Sequence, residues 1–163
     1  MRHTLLASVI LTCLCLSAAD AGWPGRRRSC PGSSLLVAPD VSPEDAVRRV
    51  LSDQVAAWNK GDLQGFMAGY WISPDLSFFS GKERTRGWQA TLERYVKKYR
   101  SEGKEMGKLT FSELTVDVHS PEAALVRGRW ELEMSKDKPG GLFTLIFKRF
   151  PDGWRIVHDH TSG

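Results

Sequence analysis

Trp154-Arg155-Ile156-Val157-His158-Asp159-His160-Thr161-Ser162-Gly163, preceded by the turn Pro151-Asp152-Gly153, is the most informative stretch of the chain. In an extended strand, side chains alternate between faces with period 2. Regular alternation puts Trp154, Ile156, His158 and His160 on one face, which runs from large apolar groups to two imidazoles. Asp159 then falls on the opposite face, where it forms a dyad with neither histidine. A strand of this kind reads as a pocket wall with a polar mouth.

The same period runs backwards through the C-terminal half. Leu142 to Phe150 is a strand, bounded upstream by Lys138-Pro139-Gly140-Gly141. Ala123 to Met134 is a longer strand, and Ser120-Pro121-Glu122 separates it from Leu109 to His119. The N-terminal half has helical spacing. Ser42-Pro43-Glu44-Asp45 is a helix start, with an N-cap Ser, Pro at the first position and acids in the first turn. Val47, Val50, Leu51, Val55 and Trp58 follow on one face, and Gly61 ends the helix. Asp62 caps a short second helix carrying Leu63, Phe66, Met67 and Tyr70. Ser73-Pro74-Asp75 turns into a short strand, Leu76 to Ser80. A Gly-, Lys- and Arg-rich loop leads to a third helix over Trp88 to Arg100, with Trp88, Leu92, Tyr95, Val96 and Tyr99 on its apolar side. Three helices followed by a four-strand antiparallel meander make an α+β fold with helices on one sheet face.

The first residues differ. Arg2 and His3 precede an apolar run from Leu5 to Leu16, and Ala19-Asp20-Ala21 offers small residues at a cleavage site. This reads as a signal peptide over 1–21. The run is shorter than the roughly 20 residues that span a bilayer. A secreted or periplasmic protein without stable membrane insertion is expected. Cleavage would remove Cys13 and Cys15 and leave Cys30 as a spare thiol, without an intramolecular disulfide. Residues 22–41 read as a flexible basic leader containing Arg26-Arg27-Arg28, and the domain occupies 42–163. The formal net charge of the whole chain is +4, but from residue 41 onward 19 Lys/Arg face 17 Asp/Glu. Such a near-balanced domain lacks the basic excess of a nucleic-acid groove.

Together, Ala57-Trp58-Asn59-Lys60-Gly61-Asp62-Leu63, Tyr70…Pro74-Asp75, Val126-Arg127-Gly128-Arg129-Trp130 and Asp152-Gly153-Trp154-Arg155-Ile156-Val157-His158-Asp159-His160 resemble the SnoaL-like branch of the nuclear transport factor 2-like superfamily, over about Pro43 to Ser162. The closing stretch is also similar to the end of the calcium/calmodulin-dependent protein kinase II association domain. The resemblance implies a cystatin-like, cone-shaped curved sheet wrapped around N-terminal helices, an internal cavity, and homodimers formed through the outer sheet face. Alternating Arg127, Arg129, Glu131 and Glu133 fit an outer surface or a polar dimer seam.

The fold hosts isomerases, cyclases, hydrolases and non-catalytic modules. Steroid isomerases of the superfamily carry a carboxylate base at the end of the first strand. Leu76-Ser77-Phe78-Phe79-Ser80-Gly81 has no acid there, and a serine alone does not abstract a carbon-bound proton. Tyr70, Trp88, Tyr95, Trp130, Phe143, His158 and His160 are the expected pocket residues. His158 and His160 are the candidate acid/base groups. An H-x-H pair can also face one metal, but only His119 remains as a third imidazole, so no metal and no cofactor are assigned. No G-x-S-x-G elbow, phosphate loop or H-E-x-x-H motif is present. The resulting expectation is a dimeric domain that binds a small, partly apolar molecule. The alternatives are an isomerase, cyclase or hydrolase working through His158 or His160, and a dimeric assembly module.

Overall fold

A computed structural model describes residues 41–163. The signal peptide, the leader up to residue 40, Cys30 and Arg26-Arg28 lie outside the described residues. Helix α1 spans Pro43–Asn59 and α2 spans Leu63–Met67. The Ser42 hydroxyl accepts from the Asp45 N–H at 3.1 Å, and Asp62 accepts from the Gly65 N–H at 2.8 Å. Each cap supplies an acceptor to a helix N–H that has no intrahelical partner. Gly61 connects the helices at φ +73°, a conformation that costs a residue without Cβ little. Val47, Leu51, Gln54 and Trp58 form the buried stripe of α1.

The stretch 77–86 forms a hairpin, where only one strand and a loop were expected. Strand β1 is Ser77–Ser80 and β2 is Glu83–Arg86, joined through Gly81 at φ +58°. β2 carries charged side chains and covers one edge of the sheet, so it lacks the apolar alternation that reveals a half-buried strand. Helix α3, Trp88–Val96, passes into a π-helical turn over Lys97–Ser101. Val96 is exposed, so it does not belong to the apolar side, whereas Leu92 and Tyr99 are buried.

Strands β3 (Lys108–Ser120), β4 (Ala123–Glu133), β5 (Gly140–Phe150) and β6 (Gly153–Thr161) form the meander. The six strands lie in the order β2-β1-β6-β5-β4-β3; β1 runs parallel to β6, and the other pairs are antiparallel. The helices pack on the concave face. Phe147, Ile156, Val126 and Trp154 of the sheet join Val47 and Leu51 of α1 in one buried cluster. The convex face carries exposed Arg127, Arg129, Glu131 and Glu133. Arg127 pairs with Asp117 at 2.7 Å and Arg129 with Glu113 at 3.3 Å. Exposed pairs of this kind contribute about 0–1 kcal/mol, so burial of the concave face dominates.

Two irregularities bend the sheet. On β3, Ser112 pairs with Arg129 and Thr115 with Arg127, so Glu113 and Leu114 share the span opposite Gly128; Glu113 adopts φ +53°. On β6, Ile146 pairs with His158 but Phe147 pairs with Ile156, leaving Val157 as an extra residue. One inserted residue shifts the alternation of everything beyond it.

Gly128 is a packing requirement. A Cβ there would lie 2.6 Å from Phe143 Cζ and 2.8 Å from Leu114 Cδ2. Gly128→Ala is therefore expected to destabilise the domain by about 1–3 kcal/mol through overpacking, although alanine suits a strand better. Phe143→Leu in the same chain should recover part of the loss. Urea denaturation measures both, and an alanine variant as stable as the parent contradicts this packing.

Candidate functional site

The helices and the concave face of the sheet border a partly open cavity of about 310 Å³. Trp58 anchors its aromatic wall. The indole lies edge-on to Phe66 at 5.1 Å, Tyr99 at 5.0 Å and Tyr95 at 5.9 Å. Its Nε1–H donates to the Met106 carbonyl at 3.1 Å, so the polar end of the ring is satisfied away from the cavity. Phe78, Trp130 and Phe143 continue the apolar lining from the sheet. Gln54 donates to the Phe66 carbonyl at 3.0 Å and ties α2 to α1 beneath the pocket.

The polar end is built on β6. Beyond the extra residue Val157, inward-facing positions fall on odd numbers, so Asp159 and Thr161 line the cavity and Asp159 is buried. Asp159 Oδ2 accepts from the Tyr70 hydroxyl at 2.8 Å, and Oδ1 accepts from the Thr161 hydroxyl at 2.6 Å. Burial pushes the Asp159 carboxyl up to about 6, against the two hydroxyl donors and the charges of His160 and Arg94, which favour the carboxylate. Burial, followed by the Asp159 charge, holds the Tyr70 phenol well above its ordinary range; Tyr95 is raised for the same two reasons. Both tyrosines therefore stay protonated at neutral pH, and Tyr70 donates to Asp159.

Of the expected pocket residues, Tyr70, Tyr95, Trp130 and Phe143 line the cavity. Trp88 is not part of the lining; its Nε1–H donates to the Met67 carbonyl at 2.9 Å and links the start of α3 to α2. The uninterrupted alternation expected for β6 fails at Val157. His158 and His160 turn to the convex face, and Asp159 takes the inner position. His158 Nδ1 lies 2.6 Å from Ser77 Oγ, and its ring is edge-on to Phe79 at 5.0 Å. Partial burial, then the charge of His160, lowers the His158 pKa. Among the described residues no three His, Cys, Asp or Glu side chains gather in the manner of a metal site.

Arg94, Lys98 and Lys104 also line the cavity, and sequence reasoning singled out none of them. Arg94 Nη2 pairs with Glu83 at 2.8 Å, and its guanidinium lies 5.2 Å from the Phe78 ring centroid. This placement depends on the unforeseen β2, which presents Glu83. Asp159 carried no independent signal either, since its partner Tyr70 is 89 positions away.

The family model described as SnoaL-like domain matches residues 47–163. Among solved structures, an NTF-2 like protein of unknown function from Shewanella oneidensis MR-1 is 38% identical, with TM-score 0.70, over 75% of this chain and 100% of that one. A nuclear transport factor 2-like superfamily protein from Salmonella enterica serovar Typhimurium is 21% identical, with TM-score 0.58, over 75% and 93% of the two chains. A putative calcium/calmodulin dependent protein kinase II association domain from Xanthomonas campestris is 16% identical, with TM-score 0.58, over 73% and 86%. No curated protein matches the chain.

The raised Asp159 pKa has a consequence for stability. Between the ordinary carboxyl pKa of 3.8 and about 6, the folded state binds more protons than the unfolded state, so stability falls as pH rises through that window. A shift of this size corresponds to about 3 kcal/mol. Asp159→Asn removes the titration. Relative to this variant, the parent should lose about 2 kcal/mol between about pH 4 and pH 7, measured by urea melts. A pH-independent difference contradicts a buried, titrating Asp159.

Proposed function

The chain belongs to the SnoaL-like family, and from that premise we infer that the domain binds a small, partly apolar molecule in its internal cavity. One observation carries this reading. An aromatic-lined space of about 310 Å³ ends on a buried carboxylate that two hydroxyls hold in place. A few fixed polar groups in a largely apolar concavity are the common pattern of small-molecule sites. The apolar wall supplies affinity, and the Tyr70–Asp159–Thr161 group orients the bound molecule.

The reading extends to export and pairing. Ala19-Asp20-Ala21 after the apolar run supports export of a mature chain starting near Gly22. The convex face exposes Leu142 and Ile146 close to His158 and His160, which supports contact with a second copy of the chain.

A second reading is proton transfer within the cavity. It rests on Asp159, whose carboxyl sits near 6 and so accepts a proton at neutral pH, while Tyr70 and Tyr95 stay protonated beside it. The histidines face away from the cavity, so the acid/base role moves to Asp159. Asp159→Asn should then keep binding but abolish conversion of the bound compound; conversion that survives in the variant contradicts this second reading.

Native mass spectrometry of the exported protein tests the first reading. The expected spectrum shows a polypeptide starting at or near Gly22, two copies per particle, and an added small-molecule mass released on denaturation. Leu132→Trp, which fills the cavity, should lose the added mass. Bare polypeptide counts against ligand binding, retention of Met1 against export, and single copies at micromolar concentration against pairing.

A further inference from the structure

Among the described residues, Arg94 Nη1 is the one buried side-chain nitrogen or oxygen without a hydrogen-bond partner. A buried donor left unpaired loses its hydration without compensation, and the loss is larger when it is charged. Arg94 lines the cavity but does not reach an acceptor inside it. Glu83 holds its Nη2 at 2.8 Å, and the guanidinium lies against the Phe78 ring. The fork is thus fixed from one side, with its second nitrogen unsatisfied.

The surrounding charge has the same sign. Lys98 lies one helical turn beyond Arg94, and the Lys104 N–H donates to the Lys98 carbonyl at 3.2 Å, which draws the two lysines together. Of these three cations, Arg94 alone has an ion-pair partner among the described residues. Burial lowers the Lys98 pKa, and the charges of Lys104 and Arg94 lower it further. Asp159 is the one carboxylate side chain of the lining, and both of its oxygens already accept hydrogen bonds. Three cationic side chains therefore line a cavity whose one carboxylate side chain is already occupied.

Resting on the reading that the cavity binds a small molecule, we propose that its ligand is an organic carboxylate: a flat apolar body with one anionic head that accepts from Arg94 Nη1, flanked by Lys98 and Lys104. The body lies along Phe78, Tyr95 and Trp130. A carboxylate has two oxygens for one free guanidinium nitrogen and the lysines, and its charge offsets the repulsion among the cations. Asp159 stays with its hydroxyls and does not compete for Arg94.

Isothermal titration with two probes of one shape tests this. The probes are 2-naphthoate and its neutral counterpart 2-naphthamide, at neutral pH. The parent should bind the carboxylate at least about tenfold more tightly than the amide, and added salt should weaken only the carboxylate. Arg94→Gln should bring the carboxylate down to the affinity of the amide and leave the amide unchanged. Lys98→Gln should reduce the preference by a smaller factor; it carries the test if Arg94→Gln does not fold by circular dichroism. Equal affinities in the parent, or a variant that weakens both probes alike, overturn the carboxylate assignment and leave the cavity reading standing. Failure of both probes to bind the folded parent overturns both.

Discussion

The hydrogen bond from Tyr70 to Asp159 joins the end of the helical half to the last strand, and it exists because β6 contains one residue too many. Val157 has no partner on β5. On its N-terminal side, Ile156 bonds with the Gly69–Trp71 segment: its N–H donates to the Gly69 carbonyl and its carbonyl accepts from the Trp71 N–H, both at 2.9 Å. On its C-terminal side, His158 to Thr161 pair with β1. The extra residue sits where these two parallel partners meet. It reverses the facing of the strand, so large apolar groups fill the core before it and a carboxylate enters the cavity after it.

A carboxylate in that position is costly. Burial strips the carboxylate of hydration, and the two hydroxyl donors offset only part of the loss, so the group sits near 6 instead of its ordinary value. Cores assembled for stability alone rarely retain such a group without a full ion-pair partner. Arg94, the lining cation whose charge acts on Asp159, is held in an ion pair by Glu83. Positive and negative groups thus share one cavity without a direct ion pair between Arg94 and Asp159. That separation suits a bound molecule with distinct ends, one meeting Asp159 and its hydroxyls and the other meeting the cations.

Much of this architecture is legible in the sequence where one residue type has one physical job. Ser42, Pro43, Gly61 and Asp62 mark helix ends because capping and positive φ leave few choices. The four meander strands show period 2 because one face meets the helices and the other meets solvent. Gly128 stands out because a bulky neighbour, Phe143, crosses it. The pocket aromatics Tyr70, Tyr95, Trp130 and Phe143 follow from those elements. Parity is where local reading fails. A bulge is set by the pairing partners of both neighbouring strands, and nothing in Ile156-Val157-His158 specifies it. His158 and His160 therefore drew the attention that belonged to Asp159. The edge strand β2 was hidden by its charge, and Arg94 gains meaning only when Glu83 is placed beside it.

Asp159, not His158 or His160, occupies the cavity. Carboxyl-carbon nuclear magnetic resonance, with the Asp159 signal assigned by its loss in Asp159→Asn, measures this directly through a pH titration. A single Asp159 transition at about 6 is expected, above the ordinary carboxyl value of 3.8. An Asp159 signal that titrates with the exposed carboxyls places the group in water, and contradicts both the reversed strand face and the site built on it.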